Sequence, residues 1–151
     1  MLTDTENLAN KQAVWSALNA IAGTGASSLD TCLRRIYHPD AQWRGSHPWN
    51  ELRGVDAIRA GFWEPLGQAF PDLERRDAIV MGGGYEGRVY VGMVGHLVGT
   101  FRGPWLGLPP TGQVLYLRYG EFHQMVDGRI VQSSVLLDVL DAIRQAGHWP
   151  L

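Results

Sequence analysis

The fold follows from residues 114–137, which read VLYLRYGEFHQMVDGRIVQSSVLL. Two apolar runs flank the dipeptide Asp127-Gly128, and this arrangement predicts a β-hairpin with a type I′ turn. Side chains alternate across a strand, so one face of the first run is expected to carry four odd-numbered residues: Tyr119, Glu121, His123 and Met125. The apolar Met125 indicates that this face points toward the core, so a glutamate and a histidine are predicted inside the protein.

Three helices are predicted in the first half of the chain, because apolar residues recur there at helical spacing. The first begins at Thr3 and Glu6, which have the spacing of a capping box. The second ends before His38-Pro39-Asp40, which is predicted as a turn, since the residue before a proline is disfavoured in a helix. The third spans residues 55–70 and is expected to kink at Pro65.

Extended segments dominate the second half of the chain. Strands are predicted at residues 73–81 and 88–100, with Gly82-Gly83-Gly84 as the turn between them, and a short helix is predicted at 138–146. Glycines inside the longer strand favour a bent sheet. Helices followed by a meander of strands indicate the α+β class rather than α/β. Helices packed on one face of such a curved sheet would enclose a hollow.

The length and composition predict one domain spanning residues 1–151. A net charge of −2 argues against nucleic acid as a partner. The acidic N-terminus does not resemble a signal peptide, and no apolar run approaches the ~18 residues of a membrane span, so no membrane partner and a cytoplasmic location are expected. One cysteine excludes an intrachain disulfide, and the five histidines lack the spacing of metal ligands, so no metal site is expected.

Six short stretches carry a resemblance to a known family: His38–Asp40, Leu52–Ile58, Ala69–Leu73, Gly99–Gly103, Leu106–Gly112 and Val126–Val131. In order and spacing they resemble the SnoaL-like polyketide cyclases over residues 8 to 147. The resemblance implies a nuclear transport factor 2-like (cystatin-like) fold, in which three N-terminal helices wrap a cone-shaped, curved antiparallel sheet around a hydrophobic pocket. It also implies ring closure in a small carbonyl compound by general acid/base catalysis, with no cofactor and no metal.

Glu121 is the residue expected to carry the chemistry. The family's acid/base aspartate corresponds to Val135 here, and the nearby histidine of the family corresponds to Glu121. His123, two residues away, is expected to orient Glu121 or share its proton. An apolar pocket would raise the pKa of a lone glutamate toward neutrality, as a general acid or base at pH 7 requires. The alternative is a Glu121 that pairs with Arg118 or His123 and only stiffens the sheet.

The pocket is expected to be lined by aromatic and small polar side chains from three parts of the chain. An irregular segment supplies candidates for the pocket mouth, because loops with polar and aromatic groups are frequent binding elements. The third helix supplies Trp63, which is expected either to cover the pocket as a lid or to belong to the hydrophobic core. The predicted ligand-binding residues are Trp43, His47, Trp49, Trp63, Tyr119, Ser133 and Val135.

Two functions remain open at this point. The first is a cofactor-free cyclase or isomerase acting on a small hydrophobic carbonyl compound, polyketide-like or lactone-like, in which Glu121 moves a proton α to the carbonyl. Cyclisation, isomerisation and dehydration or hydration share that step. The second is a non-catalytic ligand-binding or dimerisation module of the same fold, which Val135 at the acid position favours. Under either function a homodimer through the outer face of the sheet is expected, because residues 88–100 are apolar on both faces.

Overall fold

The first two helices, α1 (Asp4–Gly23) and α2 (Ala26–Ile36), pack against each other in the computed structural model, which describes residues 1–148. The predicted capping box is confirmed. The Glu6 N–H donates to the Thr3 hydroxyl, and the Thr3 N–H donates to the Glu6 carboxylate at 2.8 Å. One side of α1 is buried through residues at helical spacing: Val14, Leu18, Ile21 and Ala22. Within residues 1–148, no helix combines the length and the apolar character needed to cross a bilayer.

The third predicted helix is present, but it is divided into three parts. These are α3 (Val55–Ile58), a π-helical turn (Arg59–Trp63) and α4 (Glu64–Ala69). Pro65 lies in the first turn of α4, and the predicted kink takes the form of the wider π turn directly before it. The neighbouring residues Phe62 and Trp63 are both buried in this turn, so two adjacent aromatic side chains enter the interior.

Six strands form one curved sheet in the order β2-β1-β6-β5-β4-β3. Neighbouring strands are antiparallel except β1 and β6, which are parallel. The mixed α+β class predicted from the sequence is confirmed. The strands are β1 (Tyr37–Gly45), β2 (Glu51–Arg53), β3 (Glu74–Tyr85), β4 (Arg88–Thr100), β5 (Val114–Val126) and β6 (Arg129–Leu137), and helix α5 (Val139–Gln145) follows them.

Two segments predicted as turns are strands in the structure. His38-Pro39-Asp40 belongs to β1, where the pairing with β6 is irregular between Tyr37 and Gln42. Gly82 lies inside β3, and the chain reverses only after Tyr85. The side-chain amide of Asn7 in α1 donates to the Gly82 carbonyl at 3.0 Å, and a Cβ at Gly82 would collide with that side chain. Gly82 therefore marks a close approach between helix and strand, and the glycine run is not a turn.

One face of the sheet is buried beneath the helices, and β5 runs through its middle. The buried residues of β5 are the odd-numbered ones, as predicted: Leu115, Leu117, Tyr119, Glu121, His123 and Met125. Glu121 lies between Met93 of β4 and Val135 of β6 in the register of the sheet. His123 lies next to Ser133 of β6 in the same way. Polar side chains thus occupy the centre of an otherwise apolar surface.

Candidate active site

Glu121 forms a buried ion pair with a residue from a distant strand. Arg75 of β3 donates from Nη2 to the Oε1 atom of Glu121, and the two side chains are 1% and 5% exposed. The sequence-based alternative of a pair with Arg118 is wrong, because Arg118 is exposed and lies near Asp138 at 3.4 Å. A charge pair this deep must satisfy both partners, because an unpaired charge in the interior is costly.

A second carboxylate, Asp77, holds the other side of the Arg75 guanidinium. Arg75 Nε donates to Asp77 Oδ1 at 3.1 Å, and the Tyr119 hydroxyl donates to the same oxygen. Asn19 of α1 donates to Asp77 Oδ2 at 3.1 Å, which ties the helix layer to the sheet. The guanidinium carbon also lies 4.4 Å from the centre of the Tyr119 ring, within cation–π range. Arg75 is therefore fixed between two carboxylates and an aromatic ring.

His123 connects Glu121 to a buried hydroxyl. Its Nδ1 atom is 2.7 Å from Ser133 Oγ, a normal hydrogen-bond distance. Its Nε2 atom is 3.4 Å from Glu121 Oε1 and has no hydrogen-bond partner within residues 1–148. At that separation the contact between His123 and Glu121 is chiefly electrostatic. Ser133 fixes the position of the ring, and Nε2 is the nitrogen left available for a proton.

The Glu121 carboxyl is held in its ionised form. Burial by itself would raise the pKa of Glu121, but the electrostatic attraction of His123 and Arg75 outweighs burial. The pKa of Glu121 therefore lies below its ordinary value of 4.5. The expectation of a raised pKa is wrong, since the interior around Glu121 is charged and not simply apolar.

Aromatic side chains fill the interior beside this polar group. The Trp43 ring lies 4.7 Å from Phe62 and 6.2 Å from Trp49, measured between centroids, and Trp63 lies 5.0 Å from Phe62. The Trp49 indole N–H donates to the Gly61 carbonyl at 3.0 Å. The Trp63 indole nitrogen is buried and has no acceptor in the part of the chain that the structure describes. The Trp63 N–H is thus a buried donor without a hydrogen bond of normal geometry in that part of the chain.

Three residues of the site, Tyr37, Arg75 and Asp77, were not identified from the sequence. Tyr37 is buried at the start of β1, and its hydroxyl lies near Ser133 and Trp63. Burial, followed by the negative charge of Glu121, raises the pKa of Tyr37 to about 12, so the hydroxyl keeps its proton at neutral pH. For Arg75 one signal was present, because strand alternation puts it on the same face as the apolar Leu73. Nothing comparable identified Tyr37, because β1 was not predicted.

The predicted ligand-binding residues differ in burial. Trp49 is half-buried, and five others are buried on or beside the inner sheet face: Trp43, Trp63, Tyr119, Ser133 and Val135. His47 is exposed in the turn after β1 and does not join them. Within residues 1–148, no group of three or more His, Cys, Asp or Glu side chains is placed to hold a metal ion.

A cavity of about 330 Å³ opens between the α1–α2 connection and α4. Its walls include Leu29, Leu73 and Trp63, and Trp63 also belongs to the aromatic cluster. Glu121 and His123 lie deeper and do not line the cavity. Trp63 therefore lies between an opening to the surface and the buried polar group.

The chain was compared with known proteins at the level of sequence and of structure. The family model for SnoaL-like polyketide cyclases matches residues 18–146. A comparison with curated protein sequences gave no match. Three similar solved structures are each only 21–22% identical to this chain, so they carry information on the fold alone.

A candidate SnoaL-like polyketide cyclase from Jannaschia sp. CCS1 is 21% identical, with a TM-score of 0.81 over 99% of both chains. IdmH, a candidate polyketide cyclase from Streptomyces antibioticus, is 21% identical, with a TM-score of 0.74 over 91% of this chain and 98% of its own. AclR, a candidate hydroxylase from Streptomyces galilaeus, is 22% identical, with a TM-score of 0.73 over 96% of this chain and 85% of its own. The architecture is the nuclear transport factor 2-like fold. Since the family model covers most of its length, the chain belongs to the SnoaL-like polyketide cyclase family.

Proposed function

We propose that the protein binds a small hydrophobic carbonyl compound, polyketide-like or lactone-like, and moves a proton on the carbon next to the carbonyl without a cofactor. The observation that carries this proposal is the pairing of Glu121 with His123, 3.4 Å apart and enclosed on the inner sheet face. Membership of a family of polyketide cyclases supports the substrate class. Cyclisation, isomerisation and dehydration share this proton transfer.

The ion pair with Arg75 decides which of the two residues moves the proton. Glu121 is ionised, so it is not the acid of the reaction. Imidazole is the usual proton carrier near neutral pH, so His123 takes the proton through Nε2 from a ligand carbon that reaches past Trp63, beyond the cavity wall. The Glu121 carboxylate then stabilises the imidazolium, and the proton returns to the product in the last step. Ser133 keeps the ring in place from the Nδ1 side.

The test is hydrogen exchange at the α-carbon. The ketone 2-tetralone and the lactone 3-isochromanone have acidic α-protons and similar shapes, and NMR in D2O follows the loss of those proton signals. The wild type is expected to accelerate the exchange of at least one probe. His123→Gln and Glu121→Gln are each expected to slow it by about 100-fold or more, the usual contribution of a general acid or base.

His96→Gln is the matched control, because His96 is an exposed histidine on the outer face of β4. It is expected to exchange both probes at the wild-type rate. A wild type that exchanges neither probe faster than buffer does, or a His123→Gln variant as fast as the wild type, would contradict the catalytic proposal.

A non-catalytic ligand-binding module is the second candidate. Val135 occupies the family's acid position and cannot transfer a proton, and it lies directly opposite Glu121 in the sheet register. The Arg75–Glu121 pair also has a purely structural explanation, since it satisfies two buried charges. Binding of either probe without exchange of its α-protons would favour this candidate.

A homodimer through the outer sheet face is also proposed. This face exposes Phe122 of β5 and Leu136 of β6, which are 55% and 72% exposed. Val94 of β4 and Leu136 lie on either side of Gly120 in the same row of the sheet. Contiguous exposed apolar patches mark interaction sites on soluble proteins. A second copy of the chain presents the same patch, so the two faces would cover each other.

A further inference from the structure

We propose that Trp63 and Tyr37 form a donor pair that binds the carbonyl oxygen of the ligand. The inference rests on the proposed function, because it names the part of the ligand that the same pocket recognises. Proton removal next to a carbonyl turns its oxygen into an enolate, and hydrogen-bond donors aimed at that oxygen stabilise the charge. The pair would therefore act in binding and in the reaction.

The indole N–H of Trp63 is the first observation. Trp63 is almost fully buried, and its Nε1 atom has no acceptor within residues 1–148. Buried donors of this kind nearly always have an acceptor. The nearby Trp49 follows that rule by donating to the Gly61 carbonyl. The Tyr37 hydroxyl lies beside the Trp63 N–H without a hydrogen bond of normal geometry, so a ligand oxygen would compete with that hydroxyl for the N–H.

The position of Trp63 is the second observation. The π-helical turn carries its side chain into the interior, and the same side chain lines the cavity of about 330 Å³ beside α4. The apolar residues Ile21, Leu29 and Leu73 line this cavity as well. A flat ligand that enters there meets these apolar side chains and the Trp63 ring, with the polar Thr24, Glu64 and Gln68 on the same lining. This arrangement fits a molecule with one carbonyl oxygen on a hydrophobic body.

The Tyr37 hydroxyl is the second donor. It lies close to Trp63 and Ser133 in the interior, and Ser133 Oγ is 2.7 Å from His123 Nδ1. An oxygen held by Trp63 and Tyr37 would therefore place the adjacent carbon on the side of the site that holds His123. The phenol keeps its proton at neutral pH, so it can donate to an enolate without losing that proton to solvent.

The experiment compares 2-tetralone with tetralin, the hydrocarbon of the same shape that lacks the oxygen. Affinities are measured by NMR titration of the wild type, Trp63→Phe and Tyr37→Phe. Each variant is expected to bind 2-tetralone about fivefold more weakly, the effect of one lost hydrogen bond, and to bind tetralin as the wild type does. Trp15→Phe, at an exposed tryptophan of α1, is expected to change neither affinity.

A second readout applies even if Trp63→Phe fails to fold. The indole N–H signal of Trp63 in wild-type protein is expected to move downfield when 2-tetralone is added and to stay in place with tetralin. Equal affinity of the wild type for 2-tetralone and tetralin would overturn the donor pair but leave a ligand pocket. The same conclusion would follow if the variants lost affinity for both probes to the same extent. A wild type that binds neither probe would overturn the donor pair and the proposed function together. Donor-dependent binding without α-proton exchange would support the pair and contradict only the catalytic role.

Discussion

Arg75 of β3 and Glu121 of β5 form an ion pair that passes over the strand between them. The guanidinium crosses the inner face of β4, where Arg75 Nη2 lies 3.8 Å from Met93 Sδ. Both side chains are buried, and Asp77 holds the guanidinium from the other side. Removing one member leaves the other charge in the interior with no solvent to replace its partner.

Arg75→Met is expected to destabilise the protein by about 3–5 kcal/mol, the usual cost of breaking a buried charge pair from one side. The thioether fills much of the same volume but leaves two carboxylates without their shared cation. Urea unfolding at neutral pH measures the loss of free energy. NMR titration of the Glu121 carboxyl is expected to show its pKa rising in the variant, since one of the charges that lower it is gone.

The neighbouring Arg76 supplies the matched control. Its side chain is exposed and pairs with Glu74 on the surface, so Arg76→Met is expected to change stability by less than about 0.5 kcal/mol. The double variant Arg75→Met/Glu121→Gln is expected to regain part of the loss, because the unpaired glutamate is neutralised. Equal losses of stability in Arg75→Met and Arg76→Met would mean that the buried ion pair contributes no more than a surface pair.

The pH dependence of stability follows from the lowered pKa of Glu121. The unfolded chain takes up a proton near the ordinary value of 4.5, and the folded protein takes it up only at lower pH. The stabilisation from the ionised Glu121 is therefore complete above the unfolded-state pKa and is lost as the pH falls through the folded-state pKa. The wild type is expected to be more stable than Glu121→Gln at neutral pH, and the difference is expected to shrink below about pH 4.5.

Urea unfolding of both proteins at a series of pH values from about 3 to 7 measures that difference. Glu86→Gln, at an exposed position in the β3–β4 turn, serves as the control and is expected to follow the wild type. The wild type and Glu121→Gln could instead differ in free energy of unfolding by the same amount down to acid pH. That result would show that the Glu121 charge does not account for the stability difference.

Local patterns predicted most of the fold. The alternation in β5 placed Glu121 and His123 inside, and the Asp127-Gly128 signal placed the hairpin between β5 and β6. These features depend on residues close together in the chain, which is why the sequence revealed them. The π-helical turn before Pro65 also had a local signal, although the proline predicted only a kink.

The features that escaped prediction depend on partners far apart in the chain. Arg75 meets Glu121 across an intervening strand, 46 positions away, and no spacing rule connects such residues. The sequence predicts Gly82 as part of a turn, and the contact that explains this glycine comes from Asn7 in the distant helix α1. The pKa of Glu121 was predicted in the wrong direction for the same reason. An apolar environment can be inferred from a strand, but a buried cation supplied by another hairpin cannot.

Gly95 is expected to be intolerant of any side chain. It lies in β4 between Asp77 and Tyr119, and a Cβ built there would lie 2.7 Å from the Tyr119 hydroxyl and still closer to the Arg76 carbonyl. Gly95→Ala is expected to cost about 1–3 kcal/mol, the usual penalty of overpacking, and to disrupt the Tyr119–Asp77 hydrogen bond. Thermal or urea unfolding checks the magnitude.

Gly120 in β5 provides the comparison, because a Cβ there meets no atom within 4 Å. Gly120→Ala is expected to leave stability within about 0.5 kcal/mol of the wild type. Removing the hydroxyl in Gly95→Ala/Tyr119→Phe relieves one of the three clashes and is expected to restore only part of the lost stability. Similar stability for Gly95→Ala and Gly120→Ala would contradict the tight packing around the Arg75 group.

The proposed dimer depends on the outer sheet face, and Leu136 is its most exposed apolar residue. In a two-fold dimer one substitution appears twice at the interface, so Leu136→Glu would bring two uncompensated charges into an apolar contact. The dimer affinity is expected to fall by at least about tenfold. Sedimentation velocity should show wild-type particles near twice the 16.7 kDa chain mass and Leu136→Glu particles near one chain mass. Leu140→Glu, at an exposed leucine of α5, is the control and should stay dimeric. A wild type that sediments as a monomer at high concentration would rule the dimer out.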